Sequence, residues 1–182
     1  LARLDALTWD LHAYASIASS QKRLAPVDLA AAVEGARAHV ARALESSGGA
    51  IEVLPPLPRV LAHRPMLVEA IAHLLENGLK FHEPHRRPRV RVSAEARGDR
   101  VRLFIADDGI GIAPEDHERI FRVLERLPAS ERYPGHGIGL AIVKKALFAM
   151  GGAVGVDSRP GEGTRFWIEL AAAPVPERAS AA

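Results

Sequence analysis

The sequence has no cysteine, which excludes disulfide bridges and thiolate metal sites and suits a reducing compartment. It has no apolar run near the ~20 residues that a membrane helix needs, and its first residues lack the order of a signal peptide. We therefore expect a cytoplasmic segment with no membrane span. The sequence also has no large excess of charge of either sign, because it contains 24 basic and 22 acidic residues. Nucleic acid is therefore not indicated as a partner.

The composition that is present predicts a folded domain. Hydrophobic residues make up 48% and charged residues 25% of the 182 residues, close to globular averages. This length fits one domain and some extra helix. No internal repeat is visible.

The first twenty residues carry the apolar spacing of a helix that packs on another helix. Its seam is Leu4, Leu7, Leu11, Tyr14 and Ala18. Steps of three and four place these side chains on one face. The spacing favours a bundle or dimer role, and a lone surface helix is the alternative.

The rest of the chain mixes strands and helices without strict alternation. A turn is expected at Leu24-Ala25-Pro26, and Asp28 is placed to cap the first helix. Helices are predicted at 28–46, 64–81 and 137–150, with a short one near 114–121. Strands are predicted at 50–54, 59–62, 89–96, 100–106, 153–158 and 164–170. The pattern predicts an α/β fold, a two-layer α/β sandwich with a mixed sheet, followed by a disordered tail at 172–182.

Polar side chains gather on one face of the helix predicted at 64–81. At 100° per residue, His73, Asn77 and Lys80 share one arc, opposite an arc of leucine and isoleucine. An imidazole, an amide oxygen and a cation thus project toward one place. A merely solvated face is the alternative for any single amphipathic helix.

A carboxylate and alternating glycines follow the strand predicted at 100–106. Asp107 ends that strand, and Gly109 and Gly111 let the loop approach a ligand closely, since glycine has no Cβ. A carboxylate in this place could accept from an exocyclic amine such as that of adenine. An ordinary turn at Asp108-Gly109 is the alternative.

A second glycine-rich run, Gly135-His136-Gly137-Ile138-Gly139, leads into an apolar helix. Free backbone N–H groups at a helix start can bind phosphate. The segment before it does not resemble a strand, which argues against a Rossmann motif, and no Gly-Lys-Ser/Thr follows, which argues against a P-loop. A fourth run, Pro160 to Phe166, is by itself a hairpin turn with Thr164 at the start of a strand.

In this order, the four runs resemble the N, G1, G2 and final glycine boxes of the histidine kinase and gyrase-type ATPase superfamily. The resemblance covers residues 24–171 and implies the Bergerat-type ATP-binding fold. The stretch from Tyr133 to Lys145 is most similar to phytochrome-type histidine kinases. Residues 1–20 are similar to the second helix of the dimerisation and phosphotransfer hairpin.

The resemblance implies roles for residues already noted. Asn77 would bind Mg²⁺, Lys80 would neutralise phosphate charge, and Phe81 would line the adenine side. Asp107 would accept from the adenine amine, with Thr164 beside it. The remaining implied ATP-binding residues are Gly109, Gly111, Ile112, Gly135, His136, Gly137, Gly139 and Leu140. Residues 122–134 would form a mobile lid.

The implied chemistry is transfer of the γ-phosphoryl group of ATP to a histidine and then to the receiver domain of a response regulator. His73 stands where relatives have asparagine or glutamate, so it is a candidate general base or phosphate contact. The implied assembly is a homodimer through the N-terminal helix. The alternative is a nucleotide-binding regulatory module that acts mainly as a response-regulator phosphatase, and a third possibility is a hydrolytic or serine-phosphorylating relative.

Three departures from the family pattern qualify the resemblance. The acceptor histidine box is absent, so the chain alone is not expected to phosphorylate itself at the usual site. Gly78 replaces the usual alanine after Asn77, which predicts flexibility at the helix end. Phe121 opens the F box, but the aromatic residues expected after it are missing.

Overall fold

The structure is a computed structural model that describes residues 23–130 and 132–174. The predicted N-terminal helix at 1–20 lies outside the described residues. So does the tail from residue 175 onward. No helix in the described part of the chain has both the length and the apolar character needed to cross a membrane.

Four α-helices and seven strands are found within those residues. The helices are Leu29–His39 (α1), Ala41–Ser47 (α2), Arg64–Lys80 (α3) and Gly139–Ala149 (α4). The strands are Ala25–Asp28 (β1), Ala50–Val53 (β2), Arg59–Ala62 (β3), Arg89–Arg97 (β4), Arg100–Asp107 (β5), Ala153–Ser158 (β6) and Thr164–Ala171 (β7). Short 3₁₀ turns lie at Pro114–Asp116, Arg119–Phe121 and Pro128–Ser130.

Five strands form one mixed sheet in the order β2-β4-β5-β7-β6. The β2 and β4 strands are parallel, and the other neighbours are antiparallel. Alternate residues of the central strands, such as Leu103 and Ile168, are buried beneath the helices. Helix α3 contacts both α1 and α4, so the three helices form a second layer on one face of the sheet. The predicted two-layer sandwich is confirmed.

Helix α3 occupies the middle of the helical layer because its apolar stripe is continuous. Leu67, Ile71, Leu74 and Leu75 are fully buried, as their shared arc predicts. Each buried leucine or isoleucine contributes roughly 1.5–3 kcal/mol relative to exposure. This stripe fixes the rotation of α3, and the opposite arc must therefore face outward.

The prediction of one helix at 28–46 was partly wrong. Asp28 does cap it, because its Oδ1 accepts from the backbone N–H groups of Ala30 at 2.8 Å and Ala31 at 3.2 Å. The helix ends at His39, however, and α2 starts at Ala41 after one non-helical residue, Val40. Val40 is buried, so the break keeps its side chain in the core.

The turn predicted at residues 24–26 was also wrong, because β1 starts there. It pairs antiparallel with β3, with Ala25 opposite Ala62 and Val27 opposite Val60, in a separate two-stranded sheet. A four-residue strand with a proline has too little alternation to be recognised. Its pairing partner lies far away in the sequence, so only the tertiary structure reveals the strand.

The ordered chain continues past the boundary predicted at residue 171. The Ala172 N–H donates to the Asp99 carbonyl at 2.8 Å, and the Ala173 N–H donates to the Arg59 carbonyl at 3.0 Å. Ala172 also bridges to Val60. These contacts join the residues after β7 to β3 and to the turn between β4 and β5.

Candidate functional site

The polar face of α3 forms one wall of a large cavity. His73, Asn77 and Lys80 all line it, and Phe81 lies at the helix end. The buried stripe on the other side of α3 leaves these side chains no other direction. Glu76 also lines the cavity, although sequence reasoning assigned it no role.

Asp107 ends β5 and also lines the cavity. Its Oδ1 accepts from the backbone N–H groups of Gly109 at 2.9 Å and Thr164 at 3.2 Å. Burial raises the pKa of this carboxyl from 3.8 to about 7, while those two hydrogen bonds lower the pKa and the nearby charge of Asp108 raises it. The carboxyl is oriented by the backbone and is poorly solvated, as an acceptor for a buried amine needs to be.

The loop after Asp107 packs backbone to backbone against its neighbours. The Ile110 N–H donates to the Phe81 carbonyl at 3.0 Å, and a methyl group at Gly109 would collide with that carbonyl oxygen. Gly111 has a φ of 72°, and a methyl group there would collide with the Arg159 carbonyl. Gly109 therefore shapes the loop and does not line the cavity, whereas Gly111 and Ile112 do line it.

The base of this wall is completed by the last hairpin. Thr164 is buried and lines the cavity, and its Oγ1 lies 3.3 Å from Ser158 Oγ. The Ser158 hydroxyl also accepts from the Ile112 N–H at 2.8 Å. Thr164 contacts Asp107 through its backbone N–H, so its hydroxyl is used in the hairpin.

The second glycine run lies where α4 begins. Gly135, His136, Gly137, Gly139 and Leu140 all line the cavity. Helix α4 starts at Gly139 and not at Gly137 as predicted, because Gly137 adopts a φ of 72°. No side chain caps α4, so its first N–H groups remain available near the cavity.

Two glycines of this run lie close to side chains of α3. A Cβ at Gly139 would lie 3.1 Å from His73 Nδ1, and a Cβ at Gly135 would lie 2.6 Å from Lys80 Nζ. The absence of side chains at these positions brings the start of α4 next to the polar face of α3. A cation and free backbone donors thus share one end of the cavity.

The described part of the segment predicted as a lid, residues 122–130 and 132–134, also lines the cavity. Arg126 organises it by donating through Nη2 to the carbonyls of Ser130 at 3.0 Å and Tyr133 at 2.8 Å. The Tyr133 ring lies edge-on to the Phe81 ring, with centroids 5.1 Å apart. Sequence reasoning gave Arg126 and Tyr133 no role, because an irregular segment shows no periodic pattern.

The cavity has a volume of about 780 Å³, within the range of pockets that bind nucleotide-sized ligands. Its lining includes the Asp107 carboxyl, Lys80 and the start of α4. The cavity wall thus carries both a carboxyl that can accept from an amine and groups that can bind an anion. Of the residues predicted for the site, Gly109 alone does not line this cavity.

The side chains around the cavity also indicate how Mg²⁺ could bind. Among the described residues, no group of three or more His, Cys, Asp or Glu side chains could hold a metal ion. Mg²⁺ commonly takes one or two protein oxygens and completes its shell with phosphates and water. The amide oxygen of Asn77 on the cavity wall fits that pattern.

Comparison with known families finds one model that matches residues 62–174, described as histidine kinase-, DNA gyrase B- and HSP90-like ATPase. The chain is 32% identical over 167 residues to phytochrome-like protein Cph1 of Synechocystis sp., covering 92% of the chain and 22% of that protein. It is 46% identical over 112 residues to sensor histidine kinase AruS of Pseudomonas aeruginosa, covering 57% of the chain and 11% of AruS. The chain thus spans about a fifth or less of these relatives.

Solved structures show the same fold. Full-length ShkA in complex with AMPPNP superposes with a TM-score of 0.78 at 34% identity, covering 97% of this chain and 38% of that one. The mycobacterial sensor histidine kinase MprB gives a TM-score of 0.72 at 28% identity, covering 83% of this chain and 100% of that one.

Proposed function

Because the chain belongs to the histidine kinase-, DNA gyrase B- and HSP90-like ATPase family, we propose that it is the ATP-binding catalytic domain of a two-component sensor histidine kinase. In this proposal it transfers the γ-phosphoryl group of ATP to a histidine upstream of Leu1, and the phosphate passes to the receiver domain of a response regulator. The observation that carries the proposal is one cavity lined by Asp107, by Lys80 and by the glycine run at the start of α4.

The adenine end of the proposed site is built around Asp107. Its carboxylate accepts from the exocyclic amine, which is held in place because Gly109 and Thr164 fix the carboxyl. Gly111 and Ile112 lie against the base, and Phe81 lines the other side. The similarity to a kinase solved with AMPPNP supports an adenine nucleotide as the ligand.

The phosphate end of the proposed site combines Asn77, Lys80 and the start of α4. Lys80 neutralises phosphate charge, and the backbone of Gly135, Gly137 and Gly139 donates to phosphate oxygens, with His136 and Leu140 beside them. When bound, Mg²⁺ would supply charge neutralisation at the transferred group, with Asn77 as its protein ligand. Catalysis then depends on positioning and electrostatics.

His73 is assigned a secondary role in this proposal. It lines the cavity and lies against Gly139, at the phosphate end. There it contacts phosphate or accepts a proton as a general base. No other side chain of the described cavity wall offers an imidazole at that end except His136.

The wider assembly is proposed by analogy with the family. The proposed partners are a receiver domain and a second copy of the chain, joined through the N-terminal helix, and the proposed location is the cytoplasm. The alternative is a regulatory module in which nucleotide binding mainly promotes dephosphorylation of the regulator. The apolar seam of residues 1–20 disfavours a purely hydrolytic or serine-phosphorylating relative.

Nucleotide titration tests the site assignment. We expect Asp107→Asn and Asn77→Ala each to weaken binding of Mg-ADP at least tenfold by calorimetry, because each removes a charged or metal-binding contact. Asp99→Asn, the same chemical change in the β4–β5 turn, is the matched control and should bind like wild type. Unchanged affinity in both site variants would refute the assignment.

The amide of Asn77 offers a direct probe. The sequence has one asparagine and one glutamine, Gln21, so only two side-chain amide groups exist. In ¹⁵N spectra, addition of Mg-ADP should shift the Asn77 side-chain pair, which Asn77→Ala identifies by its loss. Shifts confined to Gln21 would exclude Asn77 from the site.

A further inference from the structure

The described residues of the lid segment, 122–130 and 132–134, are held at their base by a backbone hydrogen bond. The Leu124 N–H donates to the Gly137 carbonyl at 2.9 Å, and Arg126 ties Ser130 to Tyr133 within the segment. Arg119 anchors its start through Glu125 at 2.6 Å. The segment is thus a loop held together by its own hydrogen bonds. Its opening therefore depends on the contacts that it makes with the rest of the site.

Two residues of the lid, Tyr133 and Arg132, contact the residues that follow α3. The Tyr133 hydroxyl donates to the His82 carbonyl at 2.7 Å, and the Tyr133 ring packs edge-on against Phe81. Arg132 Nη2 lies 3.5 Å from Glu83 Oε1. The Arg132 and Glu83 side chains are 53% and 60% exposed, so solvent screens this ion pair and Tyr133 makes the stronger contact.

The residues that receive Tyr133 are themselves part of the site framework. The Phe81 carbonyl accepts from the Ile110 N–H in the loop after Asp107. Residues 81 and 82 therefore connect the adenine-side loop on one side to the lid on the other. A contact made here holds the lid across the mouth of the cavity.

We propose that Tyr133 is a positioning residue that latches the lid to the end of α3 and so sets the rates at which nucleotide enters and leaves. This rests on the proposed function. Tyr133 lines the cavity, but its hydroxyl donates to the backbone carbonyl of His82. This hydrogen bond therefore slows entry and release together and has little effect on the equilibrium affinity. A residue that contacts the nucleotide directly would instead change the affinity.

Tyr133→Phe is the test, because it removes the hydroxyl and keeps the ring against Phe81. With a fluorescent ribose-labelled Mg-ADP in stopped flow, both association and dissociation rates should rise about fivefold, as expected for one lost hydrogen bond. The dissociation constant should change less than twofold. The sequence contains two tyrosines, and Tyr14→Phe makes the same change outside the described residues as a matched control.

Three outcomes would overturn the latch: unchanged rates in Tyr133→Phe, the same change in Tyr14→Phe, or a weaker affinity with an unchanged association rate. Hydrogen exchange of the nucleotide-free chain gives a second measurement. Amides of residues 124–137 should exchange about fivefold faster in Tyr133→Phe than in wild type. Unchanged exchange would overturn the latch, whereas failure of wild type to bind Mg-ADP would overturn the proposed function alone.

Discussion

Asp107 holds its carboxylate in a place where water solvates it poorly. Its pKa of about 7 means that near neutral pH the group is partly protonated before any ligand arrives. A nucleotide whose amine donates to the ionised form would favour loss of that proton. Nucleotide affinity and folding stability should therefore both depend on the protonation of this residue.

Affinity should increase with pH through neutrality. Between pH 6 and pH 8 the Asp107 carboxyl passes from mostly protonated to mostly ionised, so the affinity for Mg-ADP should rise about tenfold. The measurement is calorimetry at several pH values on wild type and Asp107→Asn. The nucleotide phosphates titrate in the same way in both experiments, so subtracting the pH dependence of the variant from that of wild type leaves the contribution of Asp107. An equal dependence of affinity on pH in both proteins would contradict the assignment.

Stability of the nucleotide-free chain should show the opposite trend. Because the folded pKa of about 7 lies above the ordinary 3.8, the unfolded chain loses this proton first, and stability falls as pH rises between those values. Asp107→Asn removes the buried charge and keeps an oxygen acceptor. Its melting temperature should exceed that of wild type by more at pH 8 than at pH 5, whereas Asp99→Asn should show no such pH-dependent difference.

At the scale of elements, Gly78 shows why α3 can lie so close to the sheet. The sequence predicted flexibility at this glycine, yet α3 continues through it to Lys80 and Gly78 is buried. A Cβ there would lie 2.8 Å from Val90 Cγ2 and 3.2 Å from Asp107 Cβ. The glycine therefore permits close packing beside the site.

Gly78→Ala should destabilise the protein although alanine is the better helix former. Overpacking against Val90 costs ~1–3 kcal/mol, and the helix gains ~1 kcal/mol, so a net loss of about 1 kcal/mol is expected in urea unfolding. Gly35→Ala is the matched control, because its Cβ would lie 3.4 Å from Val68. It should be neutral or stabilising. A stability gain in Gly78→Ala would contradict the packing explanation.

Elements also differ in how far the sequence predicts them. The bounds of α3, β4 and β5 lie close to prediction, because long apolar stripes and alternation are strong local signals. The break at Val40 and the strand β1 were missed. Both depend on contacts between distant segments, which no local pattern contains.

At the scale of the whole molecule, nucleotide binding and phosphotransfer can be tested separately. The described residues contain the proposed nucleotide site, but the family's acceptor histidine box is absent from the 182 residues. We expect the chain to bind Mg-ATP and give no acid-labile phosphohistidine with labelled ATP. A version extended by roughly forty upstream residues of its own gene should become labelled.

The same assay distinguishes the two candidate activities. Label on the extended version that passes to a receiver domain would support the kinase. Nucleotide binding without label, together with faster loss of phosphate from a phosphorylated receiver, would favour the regulatory module. Label on the shorter chain would contradict the expectation that its acceptor lies elsewhere.

The sequence by itself determined the fold class, the family and the residues gathered in the cavity, because glycine spacing and helical periodicity are local properties. His73, Asn77, Asp107 and Thr164, which such patterns singled out, all line one cavity in the structure. Only the tertiary structure decided the rest. The pKa of Asp107, the close packing at Gly78 and the contact of Tyr133 with His82 each arise where distant segments meet, and burial and contact across such distances cannot be read from neighbouring residues.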